Sequence, residues 1–315
     1  MNGLNLSDIS NAYVGSTPVS AIYYGINQIY PSGLHFPTID PTAYANEYFT
    51  IEALENVKVE FYFKSRNSTY TSYRRTIQYS FDKTTWHNYL ASGENPIALN
   101  SGQKMYFKGD NATYSDVSHN SNGTITVNYW HGFIVKENPI VDDAQSLGGK
   151  FAVSGNIMSL INSDSTQWNI IGFNNATCVF FNLFGGVVNV YPSSYRPNLL
   201  DATRLYLPDA TEKYCYESMF TNSVSLTAAP LLRASLLNTG CYSNMFTNCT
   251  SLKYVKILAE EGYDFEDEED LTISECIDNW LYNVSSTGII KKKSSLSLTA
   301  NSASGVPSGW TTENI

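Results

Sequence analysis

The sequence predicts a mainly β protein with three parts in succession: a β-meander, a β-sandwich domain and a solenoid of stacked repeats. Aromatic residues make up 14% of the chain and charged residues only 15%, which favours strands over salt-bridged surface helices. Apolar residues alternate along the chain from Val57 to Phe63, and the twelve residues from Cys215 return almost unchanged at Cys241.

Length and charge limit the possible classes of protein. The 315 residues, 43% of them hydrophobic, suffice for about two domains of ordinary size, each with its own core. The formal charge of −10 opposes phosphate binding, so we expect no nucleic-acid partner. The opening MNGLNLSDISNAYVG lacks the features of a secretory signal, and no window reaches the roughly 18 apolar residues of a membrane helix. We therefore expect a protein that is made in a cytoplasm and does not insert into a membrane.

Residues 1–32 are the first predicted part. Tyr13-Val14-Gly15 returns ten residues later as Tyr23-Tyr24-Gly25, and short aromatic strands broken by Gly turns are typical of a β-meander. A unit of this size is marginally stable alone, so we expect it to need a partner. Residues 33–47 contain Pro37 and Pro41 and few apolar side chains, which predicts an extended linker.

Residues 48–141 show the pattern of strands with one buried face. Val57, Val59, Phe61 and Phe63 alternate with Lys58, Glu60, Tyr62 and Lys64. Turn-rich stretches separate this strand from further runs: Thr76–Phe81, Lys104–Lys108, Thr124–Trp130 and Gly132–Val135. This order predicts an antiparallel β-sandwich, followed by a connector over residues 142–170 with one strand and a helical turn.

Residues 171–315 contain the repeats. CYESMFTNSVSL at Cys215 and CYSNMFTNCTSL at Cys241 are offset by 26 residues, and a fixed period of this size indicates a solenoid. CIDNWL extends the pattern to Cys276 at a spacing of 35, and Leu183-Phe184 aligns with Met219-Phe220 at a spacing of 36. The sequence therefore predicts four coils.

Each coil is expected to combine an inward-facing helical turn with a strand. Cys and Met are four residues apart, so they share one face of the turn with Phe beside them. The repeated cysteines then stack in a column, and we expect reduced, buried side chains because the inferred compartment is reducing. RLYL, SLTAAPLL and SLKYVKIL are expected to form a parallel sheet. Its outward positions are the candidate ligand-binding residues: Arg204, Tyr206, Lys253 and Lys256.

Two resemblances follow from these motifs. The pattern C-Y-x-x-M-F-x-x-C-x-x-L, followed by an apolar strand, resembles the BspA-like leucine-rich repeats common in gut Bacteroidales and their phages. The ending WLYNVSSTGIIKKKSSLSL…GVPSGWT also resembles the end of such arrays, whereas Ser223 stands where a second Cys is expected. The opening YVGSTPVSAIYYGINQIYP resembles the short N-terminal module of phage virion proteins, including those of crAss-like phages.

The resemblances imply a structural phage virion protein, a head or tail fibre or decoration protein that presents its leucine-rich-repeat solenoid for host adhesion. Residues 1–32 would be the virion anchor, with these anchoring residues: Tyr13, Tyr23, Tyr24, Ile29 and Tyr30. The expected partners are a capsid or tail protein and a host surface glycan or protein, and the protein is expected to be a homo-oligomer located in the virion. A bacterial cell-surface adhesin with the same repeats is the alternative, and a polysaccharide hydrolase is a third.

No catalytic, metal or cofactor site is expected from the motifs. Residues 260–270 hold eight carboxylates and are a candidate calcium segment, but they lack the spacing of a calcium loop, which favours a solvated loop. A pair of carboxylates for sugar hydrolysis cannot be recognised by its spacing in the sequence, because the distance between the two groups is set by the fold. The four histidines are scattered without metal-ligand spacing: His35, His87, His119 and His131. We therefore expect a binding protein and not an enzyme.

Overall fold

The computed structural model describes residues 12–14, 17–19, 22–24, 27–30, 40–66, 68–91, 96–119, 125–138, 147–169, 173, 176–185, 195–209, 211–264 and 269–315. These residues are mainly β and form several sheets, as the sequence predicts. They divide into two units, Met1–Asp40 and Pro41–Ile315.

The first unit contains four short strands: β1 (Ala12–Val14), β2 (Thr17–Val19), β3 (Ile22–Tyr24) and β4 (Asn27–Tyr30). β1 pairs with β2 and β3 pairs with β4, both antiparallel. Among the described residues these strands form two separate two-stranded sheets instead of one continuous meander.

The second unit begins with a 3-10 helix, Pro41–Tyr44. Asn156 Nδ2 donates a hydrogen bond of 2.7 Å to the carbonyl oxygen of Ala45, which is buried. Residues 41–47 of the predicted linker therefore pack within the second unit, whereas residues 33–39 lie outside the described residues.

A six-stranded sheet has the order β14-β13-β5-β10-β7-β8. Its strands are β5 (Phe49–Ala53), β7 (Thr76–Ser80), β8 (His87–Leu90), β10 (Lys104–Lys108), β13 (Leu147–Asn156) and β14 (Arg196–Tyr206). All neighbours are antiparallel except β13 and β14, which are parallel. The strand expected in the connector, β13, therefore lies inside this sheet, and it leads into a 3-10 helix, Ile157–Leu160.

A four-stranded antiparallel sheet has the order β11-β12-β6-β9. Its strands are β6 (Val57–Ser65), β9 (Ile97–Leu99), β11 (Ser115–His119) and β12 (Ile125–Glu137), and a 3-10 helix, Ser68–Tyr73, follows β6. The predicted alternation in β6 is confirmed, because its four alternating apolar residues are all buried: Val57, Val59, Phe61 and Phe63.

Aromatic rings fill the space between these two sheets. The ring centroid of Phe133 in β12 lies 5.4 Å from that of Phe49 in β5 and 4.9 Å from that of Phe107 in β10. The ring centroid of Phe61 in β6 lies 5.2 Å from that of Phe133. Each of these rings is at most 2% exposed, so the two sheets face each other across a dry aromatic layer.

The runs Thr124–Trp130 and Gly132–Val135 were expected to be two strands, but their described residues, 125–130 and 132–135, belong to the single strand β12. A Cβ atom at Gly132 would lie 3.0 Å from the carbonyl oxygen of Leu183. That oxygen accepts a hydrogen bond of 2.8 Å from the amide of Phe133. Gly132 therefore admits the backbone of the repeat region against the sheet and does not end a strand.

Within the second unit, the buried residues of the sheets and of the repeat region are in contact. Buried residues from Phe49 to Trp310 form one contiguous hydrophobic cluster. Phe184 of the repeat region lies 5.7 Å from Phe49 and 6.1 Å from Phe133 between ring centroids, which joins the repeats to the aromatic layer between the sheets.

The repeat region supplies the remaining elements. One sheet has the order β15-β17-β18, with β15 (Leu236–Leu237), β17 (Glu261–Asp264) and β18 (Glu269–Leu271). The other has the order β16-β19-β20, with β16 (Tyr254–Lys256), β19 (Gly288–Lys292) and β20 (Trp310–Asn314). The α-helix α1 covers Ile273–Cys276.

Candidate binding face

Four turn segments, residues 177–185, 213–222, 239–249 and 276–283, stack through their main chains. Even-numbered amides from Tyr214 to Asn222 donate to odd-numbered carbonyl oxygens from Thr239 to Thr247 at 2.9–3.0 Å. Odd-numbered amides from Cys215 to Ser223 each donate to the carbonyl oxygen three residues earlier, at 3.0–3.2 Å. A continuous ladder of main-chain hydrogen bonds therefore holds these two segments in register.

The turn segments are not helical turns, so that expectation is wrong. The backbone is left-handed at every fourth residue of the second segment, with φ of 57° at Tyr214, 59° at Ser218 and 65° at Asn222. An α-helix of L-residues does not contain such positions. The later segments place asparagines there, a residue that tolerates this conformation: Asn244, Asn248, Asn279 and Asn283. The recurrence of Asn four residues apart is the sequence signal for these turns.

Asparagine side chains also connect the segments. Asn248 Nδ2 donates to Asn222 Oδ1, and Asn283 Nδ2 donates to Asn248 Oδ1, each over 2.9 Å. Asn248 therefore receives one hydrogen bond and donates another along the stack, in addition to its main-chain bonds.

Two columns of rings form the interior of the stack. The ring centroid of Phe220 lies 5.5 Å from those of both Phe184 and Phe246. Its ring plane is inclined by 21° to that of Phe184 and by 5° to that of Phe246. Tyr216 lies 5.9 Å from Phe180 and 5.8 Å from Tyr242 in a parallel column. The rings that stack are those aligned by the spacings of 36 and 26 residues.

All five cysteines are free and buried, as expected for residues that pack in the core. Burial raises the pKa of Cys178 to about 12, and it also raises the pKa values of Cys215 and Cys241. Thiols held protonated in this way are poor nucleophiles and pack as small hydrophobic side chains.

The strands that follow the turns carry the candidate binding face. β16, β19 and β20 are parallel, and their register aligns Lys256 with Lys291 and Glu313. Val255 and Ile290, one residue earlier on their strands, are fully buried, so the aligned charged residues point outward. We call Lys256, Lys291 and Glu313 the lysine row.

The charges of the lysine row are only partly paired. Lys291 Nζ lies 3.2 Å from Glu313 Oε2. Within the described part of the chain, no acidic side chain lies within ion-pair distance of Lys256. The next two lysines are engaged, because Lys292 Nζ donates to the carbonyl oxygen of Leu296 over 2.7 Å and Lys293 pairs with Glu260.

A second row lies two residues earlier on the same strands, where the register aligns Tyr254 with Ile289 and Thr311. Burial raises the pKa of Tyr254, whereas Lys291 lowers it and Glu313 raises it. The register places Tyr254 two residues before Lys256, on the same face of β16. In this second row Tyr254 is buried, Ile289 is half-buried and Thr311 is exposed.

The structure separates the four predicted ligand-binding residues. Lys256 belongs to the lysine row, and Lys253 is exposed just before β16. Tyr206 is buried, with the Arg233 guanidinium 4.8 Å from its ring centroid. Arg204 pairs with Glu52 and Asp201.

Tyr206 is buried and not exposed as expected, whereas the Arg204 side chain is 26% exposed and engaged in ion pairs. Both residues lie in β14, which pairs with β13 in the six-stranded sheet. The predicted anchoring residues Tyr13, Tyr23, Tyr24, Ile29 and Tyr30 lie on β1, β3 and β4, and their side chains fall outside what the structure describes.

Metal ligands and clefts also bear on the chemistry of the described residues. Within the described ranges, no group of three or more His, Cys, Asp or Glu is placed to hold a metal ion. The calcium prediction falls partly on residues 265–268, outside those ranges. A cleft of about 230 Å³ lies beside α1, lined by Thr272, Ile273, Ser274, Ser297, Leu298, Thr299 and Ser304.

Comparisons with protein-family models, with curated proteins and with solved structures find no match to this chain. In the part of the chain that the structure describes, no helix is both long and apolar enough to cross a membrane.

Proposed function

We propose that this chain is a phage virion protein, a fibre or decoration protein of the head or tail that adheres to the host and is not an enzyme. In this proposal residues 1–32 anchor the chain, residues 48–141 form a β-sandwich domain, and residues 171–315 form a BspA-like leucine-rich-repeat solenoid. Many copies on one particle would form homo-oligomers and make weak single sites effective.

The observation that carries the proposal is that Met1–Asp40 forms a unit of its own. Its described strands form two two-stranded sheets, and such sheets are marginally stable in water without further partners. A capsid or tail protein that covers them would supply the missing contacts, which is the role of a virion anchor.

The repeats support binding as the mode of action. Main-chain hydrogen bonds and stacked rings hold successive turn segments in register, and the parallel strands after them present aligned outward rows. Stacked repeats of this kind offer extended faces that suit a host surface glycan or protein.

The test is incorporation into particles. Phage particles purified by density gradient from cells that express the full chain are expected to contain it by peptide mass spectrometry. A chain lacking residues 1–32 is expected to be absent from the particles. Its thermal unfolding, followed by circular dichroism, is expected to match the unfolding of residues 33–315 in the full chain.

A matched control is the full chain with K256Q, which leaves the anchor intact and is expected to enter particles normally. Incorporation of the chain without residues 1–32 would overturn the assignment of the anchor. Recovery of the full chain from the bacterial envelope and not from particles would favour the adhesin.

A further inference from the structure

Positive charge is concentrated at the junction of β6 and β7, although the chain as a whole has a formal charge of −10. Four of the 19 basic residues lie within twelve positions there: Lys64, Arg66, Arg74 and Arg75. No Asp or Glu lies between Phe61 and Phe81. The junction is therefore a locally basic segment of an acidic protein.

Contacts with β12 hold this segment against the four-stranded sheet. The ring centroid of Tyr73 lies 5.1 Å from that of Tyr129, with the ring planes inclined by 19°, and the Tyr73 side chain is 45% exposed. The amide of Arg66 donates a hydrogen bond of 2.8 Å to the carbonyl oxygen of Asn128. Arg75 Nη2 donates to the Tyr129 hydroxyl over 3.5 Å. Two arginines and an exposed aromatic ring are thus gathered around adjacent residues of β12.

The charges of this surface are not paired. In the described residues, no carboxylate lies within ion-pair distance of Arg66, Arg74 or Arg75. The Arg74 guanidinium lies 5.7 Å from the ring centroid of Phe63, and the buried Nε of Arg75 has no hydrogen-bond partner among the described atoms. We call Arg66, Tyr73, Arg74 and Arg75 the arginine patch. Tyr and Arg are the residue types that most often dominate the binding energy of protein interfaces.

Negative charge is concentrated on β17 and β18. Residues 260–270 contain eight carboxylates and no basic residue. The antiparallel register places Asp270 opposite Tyr263, and Glu261 lies two residues before Tyr263, so these three residues share one face. Glu261 and Asp270 are exposed, and within the described ranges no basic side chain lies within ion-pair distance of either. We call Glu261, Tyr263 and Asp270 the acidic face.

We propose that the arginine patch binds the acidic face of a second copy of this chain. Arg66 and Arg74 pair with Glu261 and Asp270 of that copy, and the exposed ring of Tyr73 packs beside them. The two surfaces are opposite in charge, and each has charges that the described part of its own chain leaves unpaired. Two chains of formal charge −10 repel each other overall, so a contact between copies requires such local complementarity.

The contact joins two different surfaces, so copies associate head to tail and form either a closed ring or an open chain. The inference rests on the proposed function, which expects a homo-oligomer, and it identifies the surfaces through which the copies meet.

Charge reversal tests the contact in the full chain. One variant carries R66E and R74E, and a second carries E261K and D270K. Light scattering over a series of protein concentrations measures self-association. Each variant alone is expected to associate about 4- to 25-fold more weakly than the unmodified protein, because it loses two exposed ion pairs that contribute about 2- to 5-fold each.

An equimolar mixture of the two variants is expected to recover association. In the mixture each reversed surface meets a reversed partner, and each unmodified surface meets an unmodified one. Recovery also shows that both variants are folded. The matched control is R196E with K58E, which changes the net charge as much as R66E with R74E does, at positions outside both surfaces. It is expected to associate like the unmodified protein.

The proposal is overturned if the unmodified protein is monomeric at every concentration, if the control weakens association as much as R66E with R74E, or if the mixture fails to recover association. It is also overturned if E261K with D270K leaves association unchanged, since another acidic segment would then occupy the arginine patch. These measurements use the isolated chain, so failure here is distinguishable from failure of the virion assignment, which depends on incorporation into particles.

Discussion

Phe220 and Phe246, which are 26 residues apart in the chain, stack with their ring centroids 5.5 Å apart and their planes within 5°. The amide of Phe220 donates to the carbonyl oxygen of Met245 over 2.9 Å, so the main chains beside the rings are bonded directly. The hydrogen bonds set the separation of the two turn segments, and a flat ring at each level fills it. Each turn segment is therefore stabilised by its contacts with the next one.

Replacement of Phe220 by Ala is expected to lower the free energy of unfolding by about 3–5 kcal/mol, because a cavity opens between Phe184 and Phe246. Urea unfolding followed by circular dichroism measures the change. Phe81→Ala is the matched control, since that side chain is 47% exposed, and it is expected to cost less than about 1 kcal/mol. Equal losses in the two variants would contradict the stacked core.

Asn248 has two separable roles, a left-handed backbone with φ of 63° and two side-chain hydrogen bonds. Asn248→Gly keeps the backbone conformation and loses the hydrogen bonds, whereas Asn248→Ala loses both. The Ala variant is therefore expected to be less stable than the Gly variant by about 1–2 kcal/mol. Thermal unfolding of both variants measures this difference, and a Gly variant less stable than the Ala variant would refute the left-handed role.

The five buried thiols are expected to be unreactive in the native protein. Ellman's reagent should titrate almost no thiol at pH 8 before denaturation and five in denaturant without a reductant, because all five cysteines are free and buried. A denatured count of three or fewer would show disulfides. Rapid labelling of the native protein would show instead that the turn segments open readily.

Patterns in the sequence predicted those parts of the fold that depend on residues close together in the chain or on a repeated position. The alternation from Val57 identified β6, since one face of that strand is buried. The repeat spacing identified the rings that stack, because each level uses the same position. By contrast, the close approach of Leu183 to Gly132 joins residues about fifty positions apart, and nothing near Gly132 in the sequence indicates it.

On the candidate binding face, too, some residues were predicted from the sequence and others were not. Alternation suggested that Tyr206 points outward, but the Arg233 guanidinium, 27 residues away in sequence, covers its ring. Lys256 was identified, whereas Lys291 was missed although a signal was present. The spacing of 35 that aligns Cys241 with Cys276 also aligns Lys256 with Lys291.

His131 is expected to make the protein less stable in mild acid. It is fully buried between aromatic rings, its Nε2 accepts a hydrogen bond of 2.9 Å from the amide of Arg75, and its Nδ1 lies 2.7 Å from the carbonyl oxygen of Tyr114. The neutral ring satisfies both contacts, with the proton on Nδ1. Burial lowers the pKa of His131 to about 4, with a smaller contribution from the charge of Arg75.

Because the pKa of His131 is about 6.5 in the unfolded chain and about 4 in the folded protein, the unfolded state binds more protons between these values. The contribution of His131 to stability is therefore fully present above pH 6.5 and is lost as the pH falls through 4, a change on the order of 3 kcal/mol. Carboxylates titrate in the same range, so the measurement is the difference in urea unfolding between the protein and His131→Gln from pH 7 to pH 4. Gln offers an uncharged donor and acceptor without titrating, and the variant should lose less stability over this range. His87→Gln, at an exposed position, should follow the unmodified protein, and parallel curves for all three proteins would contradict the role of His131.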